Sequence, residues 1–114
     1  MKRAGRKKPS RVDFEILEQQ VRICKAFANT TRLQMLDLLG EREYSVTELQ
    51  RTLTVSKTNL SQHLAILKSA GIVRTRRDGR HIYCSLAIPA VKQACQLIRQ
   101  VLREQLKHRQ ALAF

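Results

Sequence analysis

Ser45-Val46-Thr47-Glu48 is a capping box, in which the serine hydroxyl and the glutamate carboxylate each satisfy a backbone donor that a helix's first turn leaves open. It predicts a helix running to about Leu53. Thr54-Val55 then supplies a tight turn. Ser56 caps a second helix, whose Leu60, Leu64 and Leu67 share one face and which Gly71 is placed to end. A capped helix, a short turn and a second capped helix form the helix-turn-helix arrangement, which leaves few folds open to a chain of 114 residues.

The flanking segments fit around that unit. Ile72 to Arg77 and Arg80 to Leu86 alternate apolar and polar residues across Asp78-Gly79, a dipeptide suited to a two-residue hairpin turn, so a wing follows the second helix. Upstream, Asp13 is placed to cap a first helix. Phe14, Leu17, Val21, Cys24 and Ala28 recur there at helical spacing, and the helix should end near Asn29. A further helix from Thr30 or Thr31 carries Leu33, Leu36 and Leu39, with Gly40 expected to stop it. After Pro89, Val91, Ala94, Cys95, Ile98, Val101, Leu102 and Leu106 form a long stripe on a last helix. The expected fold class is therefore mainly α with a small β-hairpin wing, a winged helix-turn-helix over residues 13–110.

That last stripe offers more apolar surface than one small subunit can cover. Phe14, Leu17 and Val21 on the first helix, with Val91, Ile98, Val101 and Leu102 on the last, are the expected homodimer interface. Packing within one subunit is the alternative.

Charge points to the partner. The chain carries 22 Lys plus Arg against 9 Asp plus Glu, a formal +13. The excess is uneven: residues 1–12 hold six basic and no acidic residues, 13–50 are net acidic, and 51–86 hold seven basic residues against Asp78 alone. Residues 1–12 predict a mobile basic arm, and the helix-turn-helix and wing a face built for a polyanion, double-stranded DNA above all. With Leu60 buried, Thr58 and Gln62 point the opposite way, flanked by Asn59 and Ser61. These short hydrogen-bonding side chains are placed to read base edges in the major groove. Ser56, Lys57, Arg74, Arg76, Arg77, Arg80 and His81 are candidates for the phosphate backbone. His63 is expected to pack on the flank of its helix.

Other chemistries find no foothold. The longest uncharged apolar stretch, Leu86 to Val91, is far below the ~20 residues of a membrane span, and residues 1–12 lack the apolar core of a signal peptide. A soluble, cytoplasmic protein without a membrane partner is expected. Cys24, Cys84 and Cys95 are odd in number and lack Cys-x-x-Cys spacing, so reduced thiols are the expectation, and neither His63 nor His81 is expected to be a metal ligand. No phosphate loop, His-Glu-x-x-His or Gly-x-Ser-x-Gly motif suggests an enzyme.

Four separated motifs in order then carry a family likeness: Ala26 to Leu33 with Met35-Leu36, Ser56 to Leu67, Ala70 to Val73, and Arg77 to Arg80 with Ile82 to Leu86. Over about residues 13–108 the chain resembles the ArsR/SmtB family of bacterial repressors. The resemblance implies a dimeric winged helix-turn-helix that leaves its operator on a metal, metalloid or redox signal. Two departures matter. Ser45-Val46-Thr47 stands where metalloid sensors of the family carry Cys-Val-Cys, and residues 87–107 offer only Glu104 toward a zinc site of Asp, His and Glu. What remains is Cys24 on the first helix and Cys95 on the last, which the resemblance brings together. They are the candidate effector site, as a thiol switch or as ligands of a soft metal or metalloid ion, with no cofactor certain. Lys25 and Lys92 could favour their thiolates. Small buried hydrophobes are the alternative for both, and Cys84 is expected to pack under the hairpin. A repressor without a bound effector, an RNA-binding winged helix and a non-specific architectural protein are the competing functions.

Overall fold

The computed structural model describes residues 11–113, with side chains described for 13–110. The expected basic arm lies outside the described residues, apart from the helical backbone of its last two. The elements are α1 (Arg11–Phe27), α2 (Thr30–Glu41), β1 (Tyr44–Ser45), α3 (Val46–Leu53), α4 (Lys57–Ser69), β2 (Val73–Asp78), β3 (His81–Leu86) and α5 (Ala90–Ala113). The three strands form an antiparallel sheet in the order β1-β3-β2. This is the expected mainly helical fold with a wing.

Local chemistry sets most boundaries. Asp13 lies in the first turn of α1 and does not cap it, because the helix already begins at Arg11. Asn29 leaves the helix with extended backbone and caps α2, its Oδ1 accepting from the Arg32 amide at 3.1 Å. Gly40 does not stop α2, which runs on through Glu41. Gly40 lies against α5, where a Cβ would stand 3.4 Å from Lys92 Cγ, an ordinary contact. Tyr44 pairs with Cys84 and Ser45 with Tyr83 in β1, a strand too short to show alternation in the sequence.

The helix-turn-helix forms as its caps dictate. The Ser45 amide donates to Glu48 Oε1 at 3.0 Å and the Glu48 amide to Ser45 Oγ at 3.0 Å, while Ser56 Oγ accepts from the Asn59 amide at 3.1 Å. Arg42 completes the corner, 3.1 Å from Glu48 Oε2 and 3.7 Å over the Tyr44 ring. The Ser45 amide first, and then Arg42, hold the Glu48 carboxyl below its ordinary value. Thr54 ends α3 in the left-handed region at φ 53°, which a β-branched residue adopts at a cost. Thr54→Asn is therefore expected to stabilise the fold by roughly 0.5–1 kcal/mol in urea denaturation, and an unchanged or lower midpoint would contradict that strain.

In the wing, Asp78 pairs with His81, so the two-residue loop is Gly79-Arg80 and not Asp78-Gly79. Gly79 at φ 61° takes the first central position, where a hairpin turn of the twisted kind favours glycine. The core gathers Met35, Leu36 and Leu39 of α2, Leu49 of α3, Leu60 and Leu67 of α4, and Cys84 of β3, closed by Val91 and Cys95 from α5. Val91 is a correction to the expected dimer seam: at 9% exposure it belongs to its own subunit's core.

Candidate nucleic-acid interface

The capped N-terminus of α4 fixes what this helix presents. Leu60 and Leu67 are buried, so Thr58, Asn59, Ser61 and Gln62 are all exposed at its N-terminal half, beside exposed Lys57. Ser56 is partly committed: its Oγ accepts from the Asn59 amide, leaving its hydrogen to donate. The N-terminus of α4 also carries the positive end of the helix dipole, and no acidic residue stands in its first turn to oppose an approaching phosphate.

The wing divides its cations into two groups. Arg76 faces Tyr83 across the ladder, with its guanidinium 4.5 Å over that ring, and it donates to Glu43 through Nε at 3.1 Å and Nη2 at 2.6 Å. This fork holds the Glu43 carboxyl below its ordinary value. Arg76, expected to grip phosphate, thus ties the wing to the segment before β1. Glu43 lies 33 positions away, and no local pattern announces the pair. Arg74 donates to Ser85 Oγ at 3.4 Å. Arg77, Arg80 and His81 are exposed, and none has an ion-pair partner among the described residues. The tip of the wing therefore leaves Arg77, Arg80 and His81 without ion-pair partners among the described residues, while Arg76 spends its charge on the fold.

The thiols are separated by environment. Cys24 is exposed on α1, whereas Cys84 and Cys95 are buried, and all three are free. Burial pushes the Cys84 thiol up to about 11. Burial first, and then the Asp37 carboxylate, push Cys95 up as well, and the cation that opposes them is Arg99, not the expected Lys92. Cys95 lies in the cleft between α2 and α5, beside Asp37 and Arg99, which pair with each other. No disulfide joins Cys24 to Cys95, and among the described residues no three of His, Cys, Asp and Glu stand together as a metal-binding set.

Comparison with known proteins decides the family. Residues 29–75 match the family model described as bacterial regulatory protein, arsR family. An uncharacterized HTH-type transcriptional regulator of Mycobacterium tuberculosis is 38% identical over 89 residues, covering 77% of this chain and 78% of that protein. The chain belongs to the arsR family of bacterial regulatory proteins. Among solved structures, a homodimeric winged helix-turn-helix DNA-binding domain from Mycobacterium bovis matches with TM-score 0.80 at 36% identity, over 92% of this chain and 94% of that one. Reduced HlyU from Vibrio cholerae matches with TM-score 0.70 at 35% identity, over 81% and 97%. As an arsR-family member the chain is a DNA-binding transcriptional regulator, and α3-α4 with the β2-β3 wing is its winged helix-turn-helix.

Proposed function

We propose that this regulator is a homodimeric repressor that reads a defined operator through Thr58, Asn59, Ser61 and Gln62, with Lys57, Arg77, Arg80 and His81 holding the phosphates. The observation that carries the reading is the exposed polar face at the capped end of α4, bordered by cations without ion-pair partners among the described residues. The apolar stripes left open on α1 and α5, and the homodimeric state of the Mycobacterium bovis relative, support a dimer. An architectural protein would bind every sequence alike, which separates the two functions.

The test starts with a duplex selected by the wild-type protein from a random-sequence pool. Gln62→Ala and Asn59→Ala are expected to lose about 1–3 kcal/mol on that duplex, with discrimination relaxed at one base pair each and little change on random duplex. Equal losses on both duplexes would remove these residues from base reading.

Thiol chemistry at Cys24 and Cys95 is the proposed signal that releases the operator. Its support is the exposure of Cys24 on a helix carrying part of the proposed dimer seam; Cys95, buried, would react after it or through movement of α5. Operator affinity of Cys24→Ser, Cys95→Ser and Cys84→Ser proteins, reduced and then treated with a disulfide-forming oxidant, a persulfide donor, arsenite or cadmium, decides it. The wild type should weaken and Cys24→Ser should resist; a wild type that holds DNA under every treatment would make the cysteines packing residues alone.

A further inference from the structure

Apolar contact alone does not determine how α4 meets DNA. Leu60 and Leu67 are its buried residues, and hydrophobic burial, being non-directional, sets the depth of a helix better than its rotation. Two arginines supply direction. Arg32, in the first turn of α2, donates through Nε to the Ala26 carbonyl at 2.7 Å and through Nη2 to the Lys25 carbonyl at 3.1 Å, both at the C-terminal end of α1. Its Nη1 stands 3.2 Å from Nδ1 of His63, midway along α4. Arg22 on α1 makes a second tie, with Nη2 3.0 Å from the Ser69 carbonyl and 3.3 Å from Ser69 Oγ in the last turn of α4.

The contact with His63 has a strict chemical requirement. A guanidinium has donors only, so Nδ1 must offer a lone pair and the ring proton must sit on Nε2. A protonated ring would instead face a like charge. Partial burial, and then the Arg32 charge, push the His63 pKa below its ordinary value, in the direction of the neutral ring that this contact requires. No carboxylate among the described residues pairs with Arg32 to soften that demand.

We propose that Arg32 and neutral His63 form a positioning pair that ties the reading helix to the end of α1 and fixes the angle at which α4 is presented to DNA. A binding constellation must be held to within about 0.5 Å and 10–20° of its productive geometry, and hydrogen bonds from a second layer of residues are one means of holding it. In a dimer built through α1, the same tie would relay the seam's position to α4. The inference rests on α4 being the helix that reads the operator and makes no use of the thiols.

Two measurements test it. In His63→Asn the amide oxygen lies where Nδ1 lies, whereas His63→Leu keeps bulk and loses the acceptor. On the selected duplex, His63→Leu should bind roughly tenfold more weakly and His63→Asn within about threefold of wild type, with random duplex little changed. A leucine variant that binds like wild type, or equal losses in both variants, would overturn the pair. Independently, nitrogen NMR of the intact protein should show Nδ1 unprotonated at pH 7, with a His63 pKa that rises in Arg32→Gln. A protonated Nδ1, or a pKa that does not move, would also overturn it. Should Arg32→Gln fail to fold, the tautomer and the His63 variants still decide. Should Gln62→Ala show no operator-selective loss, base reading fails while the tautomer still judges the pair.

Discussion

Ile98→Asp or Leu102→Asp is expected to leave the protein folded, monomeric at micromolar concentration and unable to hold its operator. Within one chain Ile98 is 56% and Leu102 52% exposed, and neither belongs to the core, so a carboxylate there costs the isolated subunit little. In a seam the balance reverses. Each such side chain contributes about 1.5–3 kcal/mol when fully buried, and an unpaired charge in its place costs several more, twice over across a two-fold axis. Phe14, Leu17 and Val21 on α1 and Val101 on α5 are open in the same way, which gives the seam its breadth. Operator affinity should fall with the dimer, because two half-sites are read only when two copies of α4 are held about 34–36 Å apart. Sedimentation with circular dichroism checks this: a variant still dimeric at that concentration would place the interface elsewhere.

What the sequence discloses here is what neighbouring residues settle between themselves. The Ser45 and Glu48 cap, the Ser56 cap and the alternation across the wing need only local chain, and the helix-turn-helix was legible from them. Errors arise where distant partners intervene. Gly40 reads as a stop, but Lys92, 52 positions on, packs against it and the helix continues. Arg76 reads as a phosphate ligand until Glu43 claims its Nε and Nη2. Val91 continues the stripe of Ile98 and Leu102 at helical spacing, yet only Val91 and Cys95 of α5 are buried in the core, so one stripe is divided between core and surface. The turn of the wing slips by one residue because Asp-Gly and Gly-Arg both satisfy its backbone, and only the pairing of Asp78 with His81 chooses.

The candidate site follows the same division. The exposure of Thr58, Asn59, Ser61 and Gln62 could be computed from the period of one helix once Leu60 was taken as buried. The tie from Arg32 to His63 spans three elements and left no periodic trace. Cys24 and Cys95 looked alike on apolar stripes, but α2 covers one and leaves the other open.

Leu60→Ala should have the largest effect on stability and should abolish DNA binding by a different route from Gln62→Ala. Leu60 is fully buried, among Met35, Leu49 and Leu67, and it belongs to the helix that carries the reading face. Truncating such a leucine typically costs about 2–5 kcal/mol, from lost burial and from the cavity left behind. A domain of this size holds only about 5–15 kcal/mol in all, so the loss takes a large share of its margin and the urea midpoint should fall well below that of the wild type. With Leu67 as its only other buried residue, α4 would also loosen first, because half of its fully buried apolar anchor is gone. Leu60→Met, which nearly conserves volume, should cost less than about 1.5 kcal/mol and retain operator binding. Urea denaturation separates the routes: Gln62→Ala should melt with the wild type while losing discrimination, and Leu60→Ala should melt early and lose affinity for every duplex. If Leu60→Ala melted within about 1 kcal/mol of wild type, the core would not centre on α4, and the assignment of its opposite face to DNA would lose its geometric basis.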